Sequence, residues 1–132
     1  MHYKFVAIPE ILQEHVETIF VGEYDGQTSL VTNGYLNALP GIIFQHHNGH
    51  SPIDHITTAS RYRADTPPLF LYGQMTERNV VSYQKVPFST THIFLKPHAL
   101  QTLLGLNAAA LTNEVVELRE FISEERRVGK EC

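Results

Sequence analysis

The sequence predicts an α+β domain: an antiparallel β-barrel with an N-terminal helix and two C-terminal helices. Three observations carry this. Short strand-like segments follow one another from residue 18 to residue 95 without a helical pattern between them, which suits an antiparallel barrel or sandwich better than a parallel sheet. Apolar residues recur at helical spacing before that run, and again after it. The 132 residues are 42% apolar and 18% charged, a globular composition of a size that closes one core.

The elements follow in chain order. Pro9 suits a first helical position, and Ile8, Leu12, Val16 and Ile19 form one stripe while Glu10, Gln13, Glu14 and Glu17 face elsewhere. From Thr18 to Tyr24 the chain turns β-branched and aromatic, and Asp25-Gly26 ends it. Leu30 to Thr32 and Tyr35 to Leu39 predict short strands around the hairpin signal Asn33-Gly34. After Pro40, Gly41 to His46 reads as a buried strand. The segment from His47 to Pro68 reads as loop, with one poorly paired strand near Ile56. Leu69–Thr76 and Val80–Val86, joined by Glu77-Arg78-Asn79, predict a hairpin. Pro87 to Thr90 breaks it, and Thr91–Leu95 is a further strand with His92 and Phe94 on one face, Ile93 and Leu95 on the other. Pro97 opens a helix that Gly105 terminates, and Asn113 caps a last helix with Val115, Val116, Leu118 and Ile122 on its buried stripe.

Composition excludes several function classes. The formal charge is -4 and the basic residues are scattered singly until Arg126-Arg127, so the phosphate-neutralising face of a nucleic-acid binder is missing. Apolar runs such as Ile42-Ile43-Phe44 are too short to span a bilayer, and Met1 to Phe5 lacks a signal-peptide layout, which makes the cytoplasm the expected compartment. The single cysteine, Cys132, excludes an internal disulfide framework and a cysteine-built zinc site.

Few residues suggest chemistry. His46, His47, His50 and His55 fall within ten residues and are potential metal ligands. A metal-binding barrel wants a His-x-His pair with a carboxylate following, whereas His46 and His47 point to opposite faces and only Asp54 is near, so a solvated His-rich loop is the preferred reading. No serine lies in a Gly-x-Ser-x-Gly elbow, and no glycine-rich phosphate loop occurs. Neither metal nor cofactor is expected. The aromatic residues Phe44, Phe70, Tyr72, Tyr83 and Phe94 sit on predicted strands, where they either fill the interior or surround a ligand pocket. Tyr72, Gln74, Tyr83 and His92 add the polar handles a ligand would need, so Phe44, Tyr72, Gln74, Tyr83 and His92 are the candidate ligand-binding residues.

Four segments taken in order carry a resemblance. They are Pro9-Glu10-Ile11-Leu12-Gln13-Glu14-His15-Val16-Glu17, Leu39-Pro40-Gly41-Ile42-Ile43-Phe44, Leu69-Phe70-Leu71-Tyr72-Gly73-Gln74-Met75-Thr76, and Ile93-Phe94-Leu95-Lys96-Pro97-His98-Ala99-Leu100 with its Leu-Leu-Gly helix end. Over residues 3 to 122 the chain resembles the amino-terminal domain of AraC-family transcription regulators. The resemblance implies a cupin-like barrel that senses a small molecule or mediates homodimerisation. It also implies a DNA-binding half of two helix-turn-helix units, which would follow residue 122. The last ten residues, Ser123 to Cys132, resemble a translated sequencing adapter, so 1–122 is expected to be the sensing or dimerisation domain and 123–132 a non-native tail. A native polar helix end is the other reading of that tail. The expected function is therefore regulatory and non-enzymatic, with a small-molecule effector, DNA reached only through the absent half, and no membrane. A stand-alone cupin-type metal-dependent enzyme and a plain dimerisation module are the alternatives.

Overall fold

The computed structural model describes residues 2–34 and 39–119. Among them ten strands form two antiparallel sheets. The larger sheet contains β1 (His2–Val6), β2 (Val16–Tyr24), β4 (Gly41–His46), β7 (Leu69–Tyr72), β9 (Phe88–Leu95) and β10 (Val115–Glu117), in the order β1-β2-β9-β4-β7-β10. The smaller contains β3 (Val31–Gly34), β5 (Ile53–Thr57), β6 (Tyr62–Arg63) and β8 (Asn79–Tyr83), in the order β3-β8-β5-β6. One α-helix, α1 (Ala99–Leu104), follows β9. No helix among the described residues is long and apolar enough to cross a membrane.

The larger sheet is the frame, and strict alternation gives it two different faces. On one face Val16, Ile19, Ile42, Leu71, Ile93 and Leu95 pack against Ala99 and Leu100 of α1 and against Leu118. Leu71 and Leu100 are 0% exposed there. The opposite face carries Phe20, Ile43, Gln45, Phe70, Tyr72 and His92 toward the smaller sheet, which returns Ile53, Ile56, Val81 and Tyr83. Gly105 ends α1 in the left-handed conformation, φ 66°, as expected of a terminator.

Several expectations need correction. The barrel does not close: each sheet keeps two edges, β1 and β10 or β3 and β6, so the described residues form two facing sheets instead. The N-terminal helix reduces to a single 3-10 turn, Glu10–Leu12, and β2 begins at Val16. Val16, Thr18, Ile19, Phe20 and Val21 are β-branched or aromatic, and the ladder to β9, from Val16↔Leu95 to Tyr24↔Phe88, overrides the helical stripe. The second C-terminal helix is displaced in its first part by β10, whose Val115 and Val116 pair with Tyr72 and Leu71. Asn113 is no helix cap but a left-handed turn residue, φ 59°, whose Oδ1 accepts from the Thr76 backbone N–H at 2.8 Å. Leu118 and Arg119 are helical, and the remainder of that expected helix, like the proposed tail at 123–132, lies outside the described residues.

The expected hairpin of 69–76 with 80–86 is absent. β7 pairs with β4 and β10, and β8 with β3 and β5, so the chain changes sheets between them. Gly73 makes that exit feasible, because a Cβ there would collide with the Leu111 carbonyl. β5 is not poorly paired but central, lying between β8 and β6. Pro87 does not delay β9, which starts at Phe88. The Asn33-Gly34 signal falls in β3, which pairs with β8; residues 35–38 lie outside the described residues. His47 to His50 is a tight turn with Asn48 at φ 51° and Gly49 at φ 82°, closed by reciprocal His47–His50 backbone hydrogen bonds of 2.8 and 3.0 Å. Those angles are the ones an Asn-Gly hairpin turn requires.

Candidate ligand-binding cavity

The two sheets enclose a cavity of about 500 Å³. Its position follows from register. Gly41, Ile43 and Gln45 alternate along β4 and sit opposite Phe94, His92 and Thr90 of β9, so one face of these neighbouring strands supplies a continuous wall. Phe70 and Tyr72 extend the wall on β7, and Phe20 on β2. Val81 and Tyr83 of β8 with Ile53 and Ile56 of β5 form the opposing wall.

Two polar pairs are built into these walls. The Tyr72 hydroxyl lies 2.6 Å from His92 Nε2. Burial lowers the His92 pKa to about 4, so near pH 7 the ring is neutral and shares one hydrogen bond with the Tyr72 hydroxyl. Burial also pushes the Tyr72 phenol well above its ordinary value. His92 stacks on Phe94 at 4.1 Å between centroids and also meets the tilted ring of Phe20 at 4.9 Å. The second pair joins the sheets: buried Gln45 donates from Nε2 to the Tyr83 hydroxyl at 3.2 Å. Burial raises the Tyr83 pKa, partly offset by hydrogen bonds with Gln45 and Thr32.

A close approach holds Tyr72 in place. Its ring lies over Gly41, where any Cβ would strike the phenol. Only glycine leaves that space.

At the rim, Arg61 and Arg63 line the cavity from the smaller sheet. Arg61 grips Glu114 through two parallel bonds of 2.9 and 2.7 Å, and Arg63 reaches the same carboxylate at 3.4 Å. Glu114 immediately precedes β10, so the cluster ties one sheet to the other across the opening. The hydrogen bonds from Arg61 hold the Glu114 carboxyl below its usual range, and Glu114 in turn raises the Arg61 guanidinium.

Of the five candidate residues, the structure brings Tyr72, Tyr83 and His92 together on the cavity wall. Phe44 does not join them. It occupies the alternate position of β4, on the opposite face from Ile43 and Gln45, and its ring meets that of His46 at 4.8 Å in a tilted contact. Gln74 is exposed beyond the end of β7, and its carbonyl accepts from the Asn113 N–H at 2.9 Å. Phe70 and Phe94, read as core or pocket, line the cavity. The reading of the residues missed Gln45, Arg61 and Arg63. A glutamine inside the apolar strand Gly41 to His46 was a visible signal, as was the Arg-x-Arg spacing, which sets Arg61 just before β6 and Arg63 within it.

The four clustered histidines disperse. His46 lies in a tilted contact against Phe44, His47 Nδ1 meets the Pro87 carbonyl at 2.9 Å, and His55 pairs with Asp54 at 2.7 Å. Among the described residues, no group of three or more His, Cys, Asp or Glu side chains is placed to hold a metal ion.

Among known families, the domain of unknown function DUF6597 matches residues 6–117. The chain belongs to this family. No curated protein and no solved structure matches the chain. The DUF6597 span contains every cavity-lining residue except Tyr3, so the cavity is a feature of the domain itself rather than of its flanks.

Proposed function

We propose that this DUF6597 domain is a sensor that binds a small, largely apolar molecule between its sheets, and serves as the regulatory domain of an AraC-family transcription regulator. The observation that carries the proposal is the inter-sheet cavity. Its volume of about 500 Å³ lies within the range of small-molecule sites, and its walls are apolar with a few placed polar groups. The four motif segments that resemble AraC-type amino-terminal domains support the regulatory context. DNA reading would then belong to a helix-turn-helix unit outside the described residues.

The chemistry of the walls favours recognition over catalysis. Burial moves His92 and Tyr72 away from neutrality in opposite directions, which leaves both poorly matched to proton transfer near pH 7. A neutral imidazole and a phenol held by one another are suited to orienting a ligand's polar group. Sensing works by linkage, since a ligand that prefers one spacing of the sheets shifts the population presented to the rest of the regulator.

The test is a thermal-shift screen of the 132-residue chain against metabolites of suitable size, followed by calorimetric titration of any hit. A ligand of the native state raises the melting temperature with concentration. A hit whose binding is lost on Val81→Trp, which fills the cavity, supports the reading. Hits indifferent to that substitution, or no hit across the panel, overturn it.

A further inference from the structure

The geometry points to a chemical class for the ligand: an apolar, ring-bearing monocarboxylate, its body between the sheets and its carboxylate on Arg61 and Arg63, in competition with Glu114. This rests on the reading of the cavity as a ligand site.

The guanidiniums at the wall select the headgroup. Among the described residues, Arg61 and Arg63 are the charged side chains that line the cavity, and no carboxylate lines it. Glu114 satisfies them from outside and unevenly. Arg61 is held bidentately, whereas Arg63 has a single long contact of 3.4 Å. Glu77 also acts on Arg61, so the rim is not selected by net charge; the under-filled fork of Arg63 is what remains for a ligand, and the planar guanidinium is matched to carboxylate geometry. Glu114 therefore shows where and how a ligand carboxylate is received.

The walls select the body. Phe20, Phe70 and Phe94 with the Tyr72 and Tyr83 rings present flat aromatic surfaces, which favour a ring in offset or edge contact. At about 30 Å³ per non-hydrogen atom, the volume share of a liquid water, the cavity has room for on the order of fifteen such atoms.

The experiment uses 4-phenylbutyrate and its uncharged isostere 4-phenylbutanamide, titrated calorimetrically into the full chain at pH 7 and low salt. The carboxylate is expected to bind at least about tenfold more tightly than the amide. In the double variant Arg61→Gln, Arg63→Gln that preference falls to about one, and an unaltered near-ultraviolet circular dichroism of the cavity tyrosines reports that the fold is intact. Glu114→Gln removes the competitor and strengthens carboxylate binding several-fold, and by more than Glu77→Gln, which removes an equal charge near Arg61 without vacating the guanidinium fork.

Equal binding of acid and amide, or a preference that survives the double arginine variant, overturns the headgroup assignment and leaves the cavity reading standing. Weaker carboxylate binding in Glu114→Gln overturns the competition. Binding of neither probe, or binding that survives Val81→Trp, counts against the cavity reading and this inference together.

Discussion

Acid should weaken this fold through His92 in particular. The imidazole is packed against Phe94 and Phe20 and hydrogen-bonded with Tyr72, and its burial holds its pKa at about 4 against the ordinary 6.5. The folded pKa lies below the unfolded one, so the neutral ring's contribution is complete above about pH 6.5 and is lost as pH falls toward 4. A shift of about 2.5 units at about 1.4 kcal/mol per unit sets an upper bound of about 3–4 kcal/mol, reduced in practice because the ring edge faces an open cavity. Urea denaturation of the wild type and of His92→Gln at pH 7.0, 5.5 and 4.5 measures it. Glutamine keeps a hydrogen-bond partner for Tyr72 but does not titrate. The wild type should lose more stability than the variant across this range, by about 1–3 kcal/mol at pH 4.5. Parallel pH profiles would refute the buried neutral imidazole. So would an NMR titration of the His92 ring near 6.5.

Three further outcomes test the packing and the backbone. Leu71→Ala, at a fully buried position beneath α1, should cost about 2–5 kcal/mol in urea denaturation; a smaller loss would place Leu71 outside the core. Gly41→Ala brings a methyl against the Tyr72 ring, whose Cε1 would lie 2.7 Å away, and should cost about 1–3 kcal/mol while shifting the near-ultraviolet circular dichroism of the tyrosines. Gly49→Ala meets no neighbour but places alanine at φ 82°, so it should cost about 1–2 kcal/mol with no change at the cavity, readable as an unaltered tyrosine spectrum.

The antiparallel class was legible from the chain because the strands are short, alternate and are punctuated by Gly and Pro. α1 and its Gly105 stop were legible because Pro97, the apolar stripe and the terminator agreed. Where the reading failed, two periodicities coincided. Val16 and Ile19 fit a helical stripe, yet they also fit β2, and the choice was made by β9, more than seventy residues away in sequence. Val115-Val116 was misplaced for the same reason, since its partner is β7. Closure could not be read at all. A barrel and a pair of facing sheets have the same alternation along each strand and differ only in whether edges meet.

The site was half legible, and the split has a geometric origin. Tyr72, Tyr83 and His92 were found because each combines an aromatic body with a polar tip on a strand, and the cavity needs that combination. Phe44 and Gln74 were included without knowledge of strand phase. On β4 a shift of one residue moves a side chain to the opposite face, so Phe44 looks away from the cavity while Gln45, its neighbour, joins the two sheets through Tyr83. Reading β7 and β8 as one hairpin hid the rest, because it put Tyr72 and Tyr83 on a single surface. Assigning them to opposing sheets opens the space between them, and the crossover from β7 to β8 is therefore the element that makes this domain hollow.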